Sequence, residues 1–181
     1  MNAGLIQVSI FLINTLFSLY ITAVMLRFLL QWVKADFYNP LCQFLMKITN
    51  PLLLPLRRII PGWFGLDMAA VALMLMLQII EIALLDWIVS MPISGLIVII
   101  ALIKLVISLL SLYFYLILVR AVLSWISPQQ NTPMQYLLWQ LTEPVMRPAR
   151  RIIKPIHGFD LSPILVLILI QALLILIRSN V

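Results

Sequence analysis

Charged residues are scarce in this sequence of 181 amino acids. Asp, Glu, Lys and Arg together make up 10% of the chain, whereas hydrophobic residues make up 64%. A soluble domain carries about 25% charged residues. So few charges cannot cover a water-facing surface, and lipid is therefore expected to be the main solvent of the chain. The composition predicts an integral membrane protein.

Cysteine and histidine are almost absent as well. Cys42 is the only cysteine, which excludes an internal disulfide, and His157 is the only histidine. Because a metal site needs several such ligands at a suitable spacing, we expect no metal and no cofactor. The chain also lacks a phosphate-binding loop, a nucleophile elbow and a Gly-rich dinucleotide fingerprint. We therefore expect a protein that is not an enzyme.

Four long apolar stretches are present, at roughly residues 5–32, 68–91, 93–125 and 161–177. Each can cross a hydrocarbon core of about 30 Å as a helix that rises about 1.5 Å per residue. Unpaired backbone groups are too costly in lipid, so these stretches are predicted to be helices. Only "MPISG", residues 91–95, separates the second stretch from the third, and this predicts a tight hairpin. The predicted fold is an all-α membrane protein with four transmembrane helices.

The basic residues lie mostly in the two longer connections, residues 34–67 and 127–160. Four spans with a hairpin in the middle place both connections on one side of the membrane. The positive-inside rule makes that side cytoplasmic, and both termini are then periplasmic. The net charge of +6 therefore lies next to the membrane. It predicts contact with anionic lipid headgroups, and no nucleic-acid partner is expected.

The chain repeats itself at a constant offset of 93 residues, the difference between Arg27 and Arg120 and between Trp32 and Trp125. We divide it into two units, residues 1–92 and 93–181, each consisting of a span, a basic segment and a span. Since two spans return the chain to its starting side, the two units are expected to be parallel, about an axis along the membrane normal. The same offset relates Thr49 to Thr142, Pro51 to Pro144, Pro55 to Pro148, Arg57 to Arg150, Arg58 to Arg151, Gly65 to Gly158 and Asp67 to Asp160.

The centre of each unit contains a repeated motif, "TNPLLLPLRRII" at residues 49–60 and "TEPVMRPARRII" at residues 142–153. Two prolines four residues apart are predicted to break a regular helix. In each unit the Thr or the residue after it, Asn50 or Glu143, is then a candidate cap for a short helix with the next proline in its first turn. The motif predicts broken, interfacial helices between the two spans of each unit.

The arginine pairs of the repeated motif are the candidate binding residues for lipid or a partner: Arg57, Arg58, Arg150 and Arg151. Arginines at the membrane surface can meet lipid phosphate or a carboxylate. The alternative is that they only set the topology and extend toward the headgroups. Repetition does not decide between the two, because duplication copies anchors and sites alike.

Two further repeated pairs carry charge at the ends of the spans. Asp67 and Asp160 precede the second span of each unit, where an Asp can cap the helix or pair with an arginine. Arg27 and Arg120 lie inside the first span of each unit, and they either face the bundle interior or extend to the headgroups. Trp32, like its counterpart Trp125, is predicted to be an interfacial anchor.

Glu81, Asp86 and Lys104 are intramembrane charges that the two units do not share. Glu81 and Lys104 lie at similar distances from the hairpin, about 17 Å along antiparallel helices. We predict that these two residues pair. Such a pair either holds the two units together or marks a functional site.

At the level of motifs the chain resembles the YggT family of bacterial membrane proteins, in the form with two tandem copies. The resemblance covers nearly the whole chain. It also extends to the related YlmG proteins and to plastid proteins of cytochrome b maturation. The residues that carry it are Arg27, Trp32, Asn39, Pro40 and the repeated Thr, Pro, Arg, Gly and Asp positions of both units, together with Arg120, Trp125, Pro133, Ser162 and Pro163. The second unit departs from the family pattern at Thr132, which replaces the Asn, and at Lys154, which replaces Pro61.

The resemblance implies a multi-pass protein of the bacterial inner membrane without an established enzymatic activity. It implies roles in osmotic stress and potassium uptake for bacterial members and in haem attachment for plastid relatives. Our hypothesis is a membrane organiser that binds anionic lipid, other membrane proteins or a second copy of itself. An ion channel or transporter component and a cofactor-assembly factor are the alternatives.

Overall fold

The computed structural model describes residues 3–63, 65–92, 94–126, 132–152 and 160–179, and within these ranges the elements are six α-helices joined by turns and loops. The all-α prediction is therefore confirmed for these ranges. An isolated antiparallel bridge between Trp63 and Leu66 closes the turn that follows the second helix. The helices are α1 (Ala3–Trp32), α2 (Pro40–Ile59), α3 (Met68–Val89), α4 (Ile97–Ile126), α5 (Pro133–Ile152) and α6 (Ser162–Arg178).

Four of these helices occupy the predicted apolar stretches, with ends that differ by a few residues from the expected ones. Helices α1, α3 and α4 are long and apolar enough to cross a membrane. Helix α6 is equally apolar but has 17 residues. At 1.5 Å per residue it is about 26 Å long, near the lower limit for a span. The structure thus shows three long candidate spans and one short apolar helix.

Each half of the chain packs as a group of three helices. Helix α1 packs mainly against α3, and α2 contacts both of them. In the same way α4 packs mainly against α6, and α5 contacts both. The halves meet chiefly between α3 and α4, and α5 also contacts α1. At the start of α2 the Asn39 side-chain amide donates to the carbonyl of Pro133, the first residue of α5, at 3.3 Å.

The buried positions follow the repeat. Four pairs of residues at the 93-residue offset are completely buried, with 0% exposure of every member. The internal duplication therefore extends to the packing of the core and is not limited to the repeated motif. The pairs are Val24 with Ile117, Thr49 with Thr142, Leu53 with Met146, and Ala69 with Ser162.

The prediction of broken helices at the prolines is wrong. Pro51 and Pro55 lie inside the continuous helix α2, and α5 likewise contains Pro144 and Pro148. All four prolines are exposed. Residues four apart share one face of a helix. The backbone hydrogen bonds that are missing at the two prolines of each helix therefore lie along one outward face. The inward face keeps regular helical geometry, which tertiary packing stabilises.

The predicted caps at Thr49 and Thr142 are also wrong, because both residues lie within their helices and are buried. Helix α2 instead begins at Pro40, whose missing N–H is no loss in a first turn. The preceding Asn39 is the cap, and its side-chain oxygen accepts from the Leu41 N–H at 3.0 Å. At the other end Pro61 follows the last helical residue, Ile59, by two positions.

Candidate functional site

A buried arginine–threonine contact joins the first two helices of each half. Arg27 of α1 is 7% exposed, and its Nη1 donates to Thr49 Oγ1 at 2.5 Å. The Thr49 hydroxyl in turn donates to the Leu45 carbonyl at 2.6 Å. One hydroxyl thus accepts from the guanidinium and satisfies a backbone acceptor. Of the two predicted orientations, Arg27 adopts the one that faces the protein interior.

The second half repeats this contact with an added aromatic neighbour. Nη1 of Arg120 donates to Thr142 Oγ1 at 2.7 Å, and the Thr142 hydroxyl donates to the Leu138 carbonyl at 2.7 Å. The Arg120 guanidinium also lies 6.0 Å from the centroid of the Trp139 ring. That distance is within the range of a cation–π interaction.

An ion pair ties the end of α2 to the start of α3. Arg57 donates to Asp67 Oδ2 from Nη2 at 2.5 Å and from Nε at 3.1 Å. Oδ1 of the same carboxylate accepts from the Ala70 N–H at 3.3 Å and so caps α3. Both alternatives predicted for Asp67 therefore hold at once. Gly65 makes the preceding turn with a φ of 78°, a conformation that glycine adopts without strain.

The equivalent pair ties α5 to α6. Nε of Arg150 donates to Asp160 Oδ2 at 2.9 Å, and Oδ1 accepts from the Ser162 N–H at 2.9 Å. The Ser162 hydroxyl donates to the same Oδ1. Partial burial works to raise the pKa of Asp160, but the Ser162 hydrogen bonds and Arg150 outweigh it, and the pKa is lowered. Gly158, the counterpart of Gly65, lies outside the described residues.

The two halves differ in the counter-ions around these arginines. In the second half the Glu143 carboxylate accepts from Arg120 Nη2 and from Arg150 Nη1, each at 3.2 Å, and lies 3.7 Å from Arg147 Nε. In the first half Arg57 Nη2 donates to Gln31 Oε1 at 3.1 Å. The counterpart of Glu143 is Asn50. The sequence alone does not predict this role of Glu143, and its only signal is the unequal residue pair at the 93-residue offset.

The four arginines in the arginine pairs of the repeated motif fall into two classes. Arg57 and Arg150 form the internal ion pairs, with side chains 34% and 32% exposed. Arg58 and Arg151, one position later, are exposed and have no ion-pair partner among the residues that the structure describes. The candidate binding residues that remain accessible are therefore one arginine in the last turn of each amphipathic helix.

A second polar site lies between the two halves. Lys104 Nζ is 3.9 Å from Glu81 Oε1, which confirms the predicted pairing of these residues. The Glu81 side chain is 5% exposed and the Lys104 side chain 39%. Gln78 Nε2 donates to the second carboxylate oxygen of Glu81. A cleft of about 210 Å³ opens at this pair, and its walls are Ser18, Ile21, Gln78, Glu81, Lys104, Ile107 and Ser108.

The remaining predicted positions lie apart from both sites. Asp86 is partly buried near the end of α3 and forms no ion pair within the described ranges. Trp32 is 49% exposed at the end of α1, and its role as an interfacial anchor stays a prediction. The side chain of Trp125 and all of His157 lie outside the described residues. Within those residues no group of three or more His, Cys, Asp or Glu side chains comes close enough together to hold a metal ion.

Comparison with known sequences bears directly on this duplicated arrangement. The sequence profile of the CCB3/YggT family matches the chain twice, at residues 6–88 and at residues 99–181. The chain belongs to the CCB3/YggT family. The two YggT matches are again displaced by 93 residues, the offset that relates the arginine, threonine and aspartate contacts of the two halves.

Several bacterial relatives extend the similarity over most of the chain. An uncharacterised protein of Pseudomonas aeruginosa is 37% identical over 180 residues, covering 98% of this chain and 91% of the relative. An uncharacterised Vibrio alginolyticus protein from the proC 3′ region is 43% identical over 164 residues, covering 89% and 88%. The uncharacterised protein YggT of Escherichia coli K12 is 36% identical over 167 residues, covering 90% and 85%. No solved structure matches this YggT chain.

Proposed function

We propose that this chain is a non-enzymatic membrane organiser of the YggT type that binds anionic lipid headgroups through the last turns of α2 and α5. The observation that carries the proposal is that, in each pair of adjacent arginines, one forms an internal ion pair and the other is exposed. Arg57 and Arg150 fix the end of their helix to the next one through an aspartate. Arg58 and Arg151 are left exposed at the same place in both halves.

The surface of α2 supports an interfacial position. Its buried face is formed by Cys42, Leu45, Thr49 and Leu53. Beside this face runs a second apolar strip of Phe44, Ile48 and Leu52, which are 58%, 37% and 46% exposed. The exposed cations Lys47 and Arg58 lie on the remaining side of the helix. A helix with one apolar side turned to lipid and one basic side turned to headgroups lies at the membrane surface.

The proposed topology follows from the same charges. With α6 as a fourth, short span, the two units are parallel and related by an axis along the membrane normal. Helices α2 and α5 then lie at the cytoplasmic face of a bacterial inner membrane, and both termini are periplasmic. Osmotic stress and potassium homeostasis are the proposed physiological setting, by resemblance to the family. Other membrane proteins or a second copy are further candidate partners.

The test is a titration of the purified full-length chain with phosphatidylglycerol, with bound lipid counted by native mass spectrometry. A surface cation contributes about 1 kcal/mol to anionic lipid binding, so Arg58→Gln and Arg151→Gln should each weaken binding about fivefold. Arg178→Gln is the matched control, because Arg178 is an exposed arginine in the last turn of α6. Unchanged binding in the Arg58→Gln/Arg151→Gln variant would overturn the proposal.

A second candidate function, ion handling, is favoured by the polar cleft at Glu81 and Lys104. A buried carboxylate with an amide and an ammonium beside it is rare inside a helical bundle and marks a candidate ion route. Potassium flux into proteoliposomes should then be present in the wild-type chain and lost in Glu81→Gln/Lys104→Met. Absence of flux in fully inserted wild-type protein would exclude this candidate. The cofactor-assembly alternative has no supporting contact among the described residues.

A further inference from the structure

The buried arginine clusters of the two halves differ by one carboxylate. In the second half Glu143 lies between the arginine of the spanning helix and the arginine of the last amphipathic turn. Its carboxylate accepts from Arg120 Nη2 and Arg150 Nη1, each at 3.2 Å. The side chains of Arg120 and Glu143 are 11% and 12% exposed, so this is a largely buried contact between charged groups.

The first half has both arginines without that carboxylate. Asn50 stands where the offset places Glu143, and its side chain makes no hydrogen bond to the residues that the structure describes. Nη1 of Arg27 donates to Thr49, and Nε and Nη2 of Arg57 donate to Asp67. Nη2 of Arg27 and Nη1 of Arg57 correspond to the atoms that bind Glu143. Neither has an acceptor within the described ranges.

The missing charge has an energetic consequence. Arg27 is 7% exposed, and its direct polar partner in the described part is a neutral hydroxyl. A buried charge without a directly bonded counter-ion costs several kcal/mol, and the cost is removed when an anion fills the gap. The planar guanidinium group matches the oxygens of phosphate and carboxylate in geometry and charge.

We propose that the first half binds a phosphate oxyanion between Arg27 and Arg57, in the place that the Glu143 carboxylate fills in the second half. A lipid phosphodiester and free inorganic phosphate share this chemistry. Arg27 lies five residues before the end of α1, about 8 Å along the helix, which is a depth that a lipid phosphate can approach. The site is separate from the exposed Arg58 and Arg151 and does not rest on their role.

The test replaces the missing carboxylate. Asn50→Glu should bridge Arg27 and Arg57 as Glu143 bridges its arginines, and Asn50→Gln is the matched neutral control. In detergent the wild-type chain and Asn50→Gln should gain about 4 °C in Tm on saturation with the anion. Asn50→Glu should begin with a higher Tm and gain nothing. Native mass spectrometry should show one bound anion fewer on Asn50→Glu than on Asn50→Gln.

Two arms identify the source of the oxyanion. A shift with phosphatidylglycerol but not with sodium phosphate assigns a lipid headgroup, whereas a shift with sodium phosphate assigns a free anion, and either supports the site. The reciprocal variant Glu143→Gln should gain a second anion-dependent shift. The difference between Asn50→Glu and Asn50→Gln should persist in the Arg58→Gln/Arg151→Gln background, which separates this site from the exposed arginines. No shift in the wild-type chain with either anion, or an undiminished shift in Asn50→Glu, would overturn the proposal.

Discussion

Removing the carboxylate of Asp67 should destabilise the protein more than removing that of Asp160. Asp67 is 6% exposed, and it is the one carboxylate bonded to Arg57 among the described residues. Breaking a fully buried ion pair costs about 3–5 kcal/mol, and because a third of the Arg57 side chain is exposed we expect about 2–3 kcal/mol for Asp67→Asn. Asn preserves the cap of α3, so the substitution removes the charge with little loss of capping.

The second half provides the matched comparison. Asp160 is 31% exposed, and Arg150 keeps Glu143 as a counter-ion when Asp160 is replaced. We therefore expect Asp160→Asn to cost about 1 kcal/mol. For a chain of this size these losses correspond to a fall in Tm of about 4–12 °C for Asp67→Asn and about 2–4 °C for Asp160→Asn.

Thermal unfolding in detergent, followed by tryptophan fluorescence, measures both variants under one condition. A double-mutant cycle with Arg57→Gln then isolates the coupling between the two charges. Equal losses for the two aspartates, or a larger loss for Asp160→Asn, would refute the reasoning that Glu143 supports the second cluster.

Three other predictions use the same thermal assay. Thr49→Val should lower stability by about 1–3 kcal/mol and Thr142→Val by less, because Glu143 still binds the arginine of the second half; equal losses would contradict this. Lys104→Met should lower the stability by about 2 kcal/mol, because it leaves the buried Glu81 carboxylate without its counter-ion. Adding Glu81→Gln should restore most of that stability. A double-mutant cycle that shows no coupling between Glu81 and Lys104 would exclude a stabilising pair. The lowered pKa of Asp160 means that its ion pair stabilises the protein above the unfolded pKa near 3.8 and that this stabilisation is lost as pH falls through the lower folded pKa. The wild-type Tm should therefore fall more steeply than that of Asp160→Asn below about pH 4.

The apolar helices and the pairing across the hairpin could be predicted from the sequence because they depend on distance along the chain. The length of an apolar stretch sets whether a helix can cross lipid. The positions of Glu81 and Lys104, at similar distances from the hairpin, set their common depth. Their contact at 3.9 Å follows from that depth once the two helices pack side by side.

The course of the amphipathic helices could not be predicted in the same way. A proline removes one hydrogen bond wherever it stands, and the local rule predicts a break. In α2 and α5 the prolines lie on the exposed face, and contacts of the buried face hold the helix continuous. The cost of a proline depends on which side of the helix is packed, and that is a tertiary property.

By itself, the sequence determined that this protein is helical, apolar and duplicated, because composition and a constant 93-residue offset are properties of the chain alone. Only the tertiary structure decided what each arginine does. Arg57 and Arg58 are neighbours of the same type, yet one is bonded to Asp67 and the other is exposed. Adjacent residues on a helix point about 100° apart, so the packing of α2 against α1 and α3 turns one inward and the other outward.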